Sequence, residues 1–369
     1  MTTTPAYLDP RSGKTYPIDR PRWCSDAGTP LMITPLSGIG RKRIDQGTRS
    51  LWRYAAAFAL PVANPVSMGE GCTPLVRHDW HGSPTLFKLE WFAPSGSFKD
   101  RGASVMISIL HQQGIDRVLE DSSGNGGCAV ACYSAAAGIR AKILVPAYTQ
   151  PGKTVQMRAY GAEVQLVPGT REDTAREALC QAERVFYASH NWQAFFLEGA
   201  KTIAYELWED LGFAVPDNII IPTAAGSNVL GCDIGFGELM RQKEVQRLPR
   251  LFLVQPENCA PIHASFIAGK DELLPVEVKP TIAEGTAISR PVRLKEVLQA
   301  IRRSKGATIT VSEEQIVTAL KELAGIGLYA EPTSAIGAAA LTKLLEAGTI
   351  KHNEVTVMLL TGSGLKATQ

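Results

Sequence analysis

The stretch Val118-Leu119-Glu120-Asp121-Ser122-Ser123-Gly124-Asn125-Gly126-Gly127-Cys128-Ala129 decides the fold. A short apolar run, Val118 to Asp121, reads as a strand. A glycine loop follows, and then an alanine-rich helix through Ala137. Working outward, the same alternation recurs on both sides. Ala141 to Val145 and Glu163 to Val167 read as strands, Gly152 to Tyr160 and Glu172 to Arg184 as helices. After Gly199, a helix over Lys201 to Leu211 precedes a strand over Asn218 to Ile221. A helix near Val229 to Met240 precedes a strand over Leu251 to Val254. Ser312 to Leu323 and Ser334 to Leu345 are helical in pattern, and Val355 to Leu360 is a buried-strand run. Strands alternating with helices imply parallel sheets covered on both faces. The expectation is an α/β chain of two three-layer domains. Residues 92–195 form a small α/β domain and 196–369 a large one. Met1 to Ser67 is irregular and rich in Pro, Gly and Arg, and residues 1–91 are expected to pack on the large domain.

Composition excludes several function classes. The 38 basic and 36 acidic residues leave a net charge of +2, which removes the electrostatic reason to expect nucleic acid or an anionic membrane as partner. No run approaches the roughly 18 apolar residues of a membrane span. Met1 to Tyr7 has no basic segment followed by an apolar one, so no signal peptide is expected and the cytoplasm is the expected compartment. The seven cysteines show no disulfide spacing and are read as free thiols. Cys128 and Cys132 share a helix face. They read as small core residues, because no His or Cys cluster accompanies them.

Ligands of open α/β sheets sit beyond the carboxyl ends of strands, so the loops there carry the chemistry. In Pro94-Ser95-Gly96-Ser97-Phe98-Lys99-Asp100-Arg101-Gly102, a lysine follows a tight turn and precedes a helical stretch beginning near Ala103. The positive end of a helix dipole favours the neutral amine, which Schiff-base chemistry needs. Alone, a lysine in a turn is a solvated surface residue. Asp121 to Gly127 can hold a carboxylate at a helix N-terminus, or be a turn with Ser/Asn caps. Pro222-Thr223-Ala224-Ala225-Gly226-Ser227-Asn228 can take a phosphate on its backbone amides, or be an ordinary turn. Leu360-Thr361-Gly362-Ser363-Gly364 places a hydroxyl at the last strand end. Two decoys drop out. Gly152-Lys153-Thr154 has Ala147 where a P-loop needs its first glycine, and no dinucleotide fingerprint opens a βα unit.

Taken in order, these four loops resemble the fold-type II pyridoxal phosphate enzymes, the tryptophan synthase β family. The likeness is greatest to threonine synthase and threonine-dehydratase-like proteins, and it runs from about Gly71 to Lys366. Leu197-Glu198-Gly199-Ala200-Lys201-Thr202, Thr281-Ile282-Ala283-Glu284-Gly285 and Ala330-Glu331-Pro332-Thr333-Ser334-Ala335 add to it. The resemblance implies an active site between the two domains and pyridoxal 5'-phosphate as cofactor. It implies that Lys99 forms the Schiff base with that cofactor and later shuttles the α-proton. Asn125 would hydrogen-bond the ring hydroxyl. Ser122, Ser123, Gly124 and Gly126 would lie on the substrate side, holding its carboxylate. Ala224, Ala225, Gly226, Ser227 and Asn228 would cradle the cofactor phosphate. Thr361 would face the pyridine nitrogen. A neutral hydroxyl there makes the ring a weaker electron sink, which suits elimination over transamination.

The chain departs from that pattern at three places. Phe196 stands where threonine synthases carry an arginine that grips the phosphate of O-phosphohomoserine, and Gly126 replaces a threonine. Losing a phosphate clamp and gaining an aromatic ring points away from O-phosphohomoserine as substrate. Of the four cysteine positions of the zinc knuckles, filled here by Asp9, Ser12, Cys24 and Ala27, only Cys24 keeps the thiol. One thiolate cannot build a structural zinc site, so no zinc is expected and the segment should persist as a metal-free clip. The expected activity is a lyase that eliminates the β-substituent of a small-molecule amino-acid substrate, leaving a 2-oxo acid and ammonia; a substrate with an apolar or aromatic side chain near Phe195 and Phe196 fits that site. The alternatives are a replacement enzyme, threonine synthase included, or a non-catalytic cofactor-binding relative. A homodimer is carried by the resemblance alone.

Overall fold

The computed structural model describes residues 4–366. In chain order its strands begin with β1 (Ala6–Leu8), β2 (Thr15–Pro17), β3 (Met32–Ile33), β4 (Leu75–Trp80) and β5 (Ser83–Leu89). Then α1 (Lys99–Gln112), β6 (Arg117–Glu120), α2 (Asn125–Ala136), β7 (Arg140–Pro146), α3 (Pro151–Ala159), β8 (Glu163–Val167), α4 (Arg171–Gln181), β9 (Phe186–Tyr187) and α5 (Ala194–Ala200) follow. The remainder is α6 (Thr202–Asp210), β10 (Asn218–Pro222), α7 (Ser227–Arg241), β11 (Arg250–Pro256), α8 (Pro261–Ile267), α9 (Leu294–Arg303), β12 (Ala307–Val311), α10 (Glu313–Gly325), α11 (Pro332–Glu346) and β13 (Thr356–Leu360).

The chain divides into two compact units. Residues 4–72 and 93–202 make the first, 73–92 and 203–366 the second. In the first unit a parallel sheet runs in the order β8-β7-β6-β9. Its central strands β6 and β7 are buried over most of their length beneath the helices, while the edge strand β8 is partly exposed. Met106, Ile109, Val130, Ile143 and Met157 are fully buried in its core. Helix α4 starts at a capping box, Thr170 with Asp173, which satisfies two of the backbone donors every helix start leaves open.

The second unit holds a six-stranded sheet ordered β12-β11-β10-β13-β5-β4. All its pairs are parallel except β4 with β5. Those two strands form a hairpin whose turn residues, His81 and Gly82, both have positive φ. A two-residue turn of that handedness matches strand twist. Strand β5 then pairs in parallel with β13, from Thr85 opposite Thr356 to Leu89 opposite Leu360. This pairing ties 73–92 to the second unit.

The N-terminal segment corrects the sequence expectation in part: residues 4–72 group with the first unit, and only 73–91 group with the second. The reason is a set of buried polar contacts spanning long sequence separations. Trp52 Nε1 donates to Glu70 and to Ser104 Oγ, both at 3.0 Å. Tyr133 Oη donates to the same Glu70 at 2.9 Å. The Ala59 amide donates to Glu198 at 2.9 Å, and Glu198 pairs with buried Lys201. The degenerate knuckle positions are held by hydrogen bonds. Asp9 accepts from Ser12 Oγ (2.7 Å), the Arg11 amide (3.0 Å) and Thr29 Oγ1 (3.1 Å). Ser25 and Thr29 hydroxyls meet at 2.6 Å in the second turn. Among the described residues, no helix is long and apolar enough to cross a membrane.

Candidate active site

Lys99 is the first residue of α1, four residues earlier than the sequence suggested. The helix can begin there because Asp100 folds the preceding turn onto itself. Its buried carboxylate accepts the Ser95 amide (3.2 Å) and Ser95 Oγ (2.9 Å). Gly96 in that turn has φ +86, a conformation other residues resist. Lys99 is only 9% exposed. Its Nζ lies 4.8 Å from the Phe98 ring centroid and 5.7 Å from that of Phe196. Two other buried lysines are committed to ion pairs: Lys88 with Glu206 and Asp210, each at 2.7 Å, and Lys201 with Glu198 at 2.9 Å.

The loop after β6 leads into α2 at Asn125. Ser122 is buried, Ser123 and Asn125 are half-buried, Gly124 is exposed and Gly126 is buried. The alternative reading of this loop as a capped turn does not hold at the helix start, because α2 has no side-chain cap and no acidic residue in its first turn. An anion at this helix start would have no capping side chain or nearby carboxylate to displace. Gly127 is required sterically, since a Cβ there would run into the Ser122 carbonyl.

Three titratable groups lie under this loop, and the sequence reading did not single them out. Glu120 ends β6 fully buried. It accepts the Asp121 amide (2.9 Å), the His190 amide (3.0 Å) and His190 Nδ1 (3.1 Å). Burial raises the Glu120 carboxyl, against the pull of the two amides and the Lys99 charge. His190 is held well below its usual value by burial first and Lys99 second, so the imidazole is neutral. With Glu120 ionised, as its two amide donors favour, Nδ1 carries the proton and Nε2 keeps its lone pair. Asp121 is raised by burial and by its neighbour Glu120, and accepts Tyr187 Oη at 2.8 Å. The parallel register of β6 with β9, Leu119 opposite Tyr187, brings the two strand-end loops together. A signal existed: a histidine just beyond a strand end, where ligands of α/β sheets sit. A two-residue strand leaves no periodicity to read.

Phe196, on α5, is fully buried. A Cβ on Gly102 would lie 2.5 Å from its ring, so the ring rests directly on the α1 backbone. His190 meets Phe196 edge-on at 5.8 Å. The space a side chain at Gly126 would need is taken by His190, whose ring would lie 2.6 Å from a Cβ there.

In the second unit, β10 runs into the loop Pro222 to Asn228 and then α7, a helix of 15 residues beginning at Ser227. Gly226 has φ +100, and a Cβ there would strike Val297. Ala224, Ala225 and Ser227 are half-buried, Gly226 and Asn228 buried. The first turn of α7 holds no acidic residue, and the buried Asn228 Nδ2 has no hydrogen-bond partner among the described residues. Thr361 is buried after β13, its hydroxyl 2.9 Å from Ser334 Oγ, which also accepts the Gly362 amide at 2.8 Å. The one Ser334 proton goes either to the Gly362 carbonyl, 3.1 Å away, or to Thr361, and in the second case the Thr361 proton is left for a ring nitrogen. These residues fit a phosphorylated pyridine: amide donors and an orphan side-chain donor for the dianion, and a neutral hydroxyl for the ring.

The family described as "Pyridoxal-phosphate dependent enzyme" matches residues 66–362. The chain belongs to this family. A threonine synthase from Methanosarcina acetivorans is 36% identical over 341 residues, covering 90% of this chain and 84% of the relative. One from Methanocaldococcus jannaschii is 34% identical, covering 96% and 91%. Among solved structures, a T.th. threonine deaminase matches with TM-score 0.66 and 25% identity over 79% of this chain and 92% of that one. An L-serine ammonia-lyase from Rhizomucor miehei, at TM-score 0.69 and 23% identity over 79% and 94%, shares the fold. As a pyridoxal-phosphate dependent enzyme the chain has the mixed α/β architecture with mostly parallel sheets read from its sequence.

Proposed function

We propose that this pyridoxal-phosphate dependent enzyme is a lyase that removes the β-substituent of a small amino acid other than O-phosphohomoserine, giving a 2-oxo acid and ammonia. The observation that carries this reading is Phe196. At the place where the resemblance puts a phosphate-gripping arginine, a fully buried ring is wedged against Gly102. A phosphate dianion brought there would lose its water for no compensating charge.

The cofactor, when bound, supplies an electron sink for the bond at the substrate α-carbon. Lys99 is the amine that holds it covalently and, once released, takes and returns the α-proton. The Phe98 and Phe196 rings confine that amine and keep bulk water from it. The amides of the 122–126 loop, with Ser122 and Ser123, bind the substrate carboxylate, and Gly126 leaves room for His190 against that loop. Asn125 orients the ring. Ala224, Ala225, Gly226, Ser227 and Asn228 hold the phosphate through backbone donors and Asn228 Nδ2. Thr361, backed by Ser334, offers the ring nitrogen a neutral hydrogen bond.

A second reading, a replacement enzyme, is favoured by the 36% and 34% identities to proteins named threonine synthase. One panel separates the two. The holoenzyme is given L-serine, L-threonine and O-phospho-L-homoserine, and 2-oxo acid, ammonia, inorganic phosphate and threonine are measured. The lyase reading expects 2-oxo acid and ammonia in equal amounts from a hydroxy amino acid. Phosphate and threonine released from O-phospho-L-homoserine at an ordinary enzymatic rate would replace it with the second reading.

A further inference from the structure

The proposed lyase reading leaves open what recognises the β-substituent, and the first unit carries a group suited to that task. His190 follows β9, which lies beside β6, and its ring fills the space left open at Gly126 on the 122–126 loop. It is 6% exposed. Its Nδ1 edge is engaged by Glu120. Among the described residues none hydrogen-bonds Nε2. Nor is Nε2 one of the sealed, unpaired atoms of the interior, so it is reachable from outside the core.

Each neighbour restricts what Nε2 can do. Glu120 fixes the ring with three donors: two amides and Nδ1 itself. The carboxylate thereby sets the tautomer, leaving Nε2 as a fixed acceptor. Lys99 and Arg171 act on the imidazole with positive charge and Asp121 with negative charge, while burial dominates. Phe196 covers one side of the ring. The result is a largely apolar wall that presents one lone pair.

We propose that His190 is the specificity-determining residue for the substrate's β-position, with Nε2 accepting a hydrogen bond from a hydroxyl or amino substituent and rejecting phosphate. This rests on the lyase family reading, because the substituent must come to the same loop that binds the carboxylate. An acceptor lone pair and a phosphate dianion repel each other. A hydroxyl or amine brings the donor that Nε2 lacks. A buried acceptor built for a donor discriminates strongly against analogues without one, since it would be left unpaired.

The test uses the purified holoenzyme and its visible absorbance. L-alanine, L-serine and O-phospho-L-serine are rapidly mixed with it, and dissociation constants are taken from the first spectral change, before turnover. The expected order is serine tighter than alanine by about tenfold, the worth of one net hydrogen bond, with phosphoserine weakest. His190→Phe should bring serine and alanine to within about twofold of each other. His190→Gln, which keeps a donor for Glu120, serves as the second variant should the first fold poorly, and should reduce the serine advantage as well. Serine holding its advantage in both variants would overturn the proposal, as would phosphoserine binding wild type as well as serine does. If no amino acid, alanine included, changes the spectrum, the lyase reading itself fails and the role of His190 falls with it.

Discussion

The loop after β6 and the loop after β10 share one plan: a buried strand, a turn of small residues, and a helix whose N-terminus has no side-chain cap. They differ in what lies beneath them. Under the first are Glu120, Asp121 and His190, each buried or nearly so, with opposing pKa shifts. The second holds no titratable side chain from Pro222 to Asn228, and its glycine packs on the aliphatic Val297. A cofactor phosphate is the same in every turnover, so fixed amide dipoles suffice to hold it. A substrate must be told apart from its relatives, and that calls for side chains with individual charge and shape. On the proposed roles, the second loop binds and the first discriminates.

The sharpest way to break this contrast is Lys99→Ala. Turnover should fall by a thousandfold or more, in the upper range for losing a positioned proton-transfer group, and the absorbance of the lysine-linked cofactor should vanish. Persisting absorbance would move the covalent site to another lysine. Asn125→Ala comes next: cofactor content retained, turnover down by about a hundredfold through lost ring orientation. An unchanged rate removes Asn125 from the site.

A pair of glycine variants sharpens the contrast further. Gly226→Ala meets Val297 and forces a positive φ on alanine, at a cost of roughly 1–3 kcal/mol. It should weaken cofactor binding in a dialysis and reconstitution titration, on the order of tenfold, if half of that cost reaches the loop. Gly126→Ala presses on His190 instead. Its cofactor affinity should stay within about twofold of wild type while amino-acid binding, read from the holoenzyme spectrum, weakens. Equal effects of the two substitutions on cofactor would erase the distinction.

The smallest effect is on stability against pH. Because the His190 pKa is depressed in the folded state, the unfolded chain binds the extra proton first. His190 therefore contributes a loss of stability as pH falls below about 6.5, at up to about 1.4 kcal/mol per pH unit. Glu120 has the opposite sign: its raised pKa adds stability that is lost as pH rises through the folded value. Urea midpoints between pH 5 and 8 should decline on the acid side more in wild type than in His190→Gln. Parallel curves would mean that the ring takes up its proton in the folded protein as readily as out of it.

Much of the sheet architecture was legible because buried parallel strands are written as continuous apolar runs, as in Asn218 to Pro222 and Thr356 to Leu360. The loops were legible because glycine, serine and asparagine gather where a chain turns from strand to helix. What stayed hidden depends on pairing, not pattern. His190 gains meaning only through the β6–β9 register, and β9 has two residues. The start of α1 at Lys99 depends on Asp100 reaching back to Ser95. The placement of residues 4–72 depends on Glu70 and Glu198, carboxylates whose partners lie up to 139 positions away in the chain. The hairpin of β4 and β5 escaped because its turn, His81-Gly82, lacks the usual Asn-Gly signature.

The seat of Phe196 on Gly102 has a consequence for how this enzyme could have changed its diet, or could change it again. The ring and the missing side chain at 102 fit each other, and Gly199 on the same helix as Phe196 presses just as closely on the Arg101 carbonyl. An arginine arriving at position 196 would abandon a surface shaped for a flat ring and set a second cation toward Lys99. A larger residue arriving first at 102 would find the ring in its way. On the proposed reading, in which position 196 separates phosphorylated from unphosphorylated substrates, such a switch depends on the order in which substitutions occur. That gives relatives of this chain a history that their present sequences would constrain: position 102 should be free to vary only where position 196 has already become small.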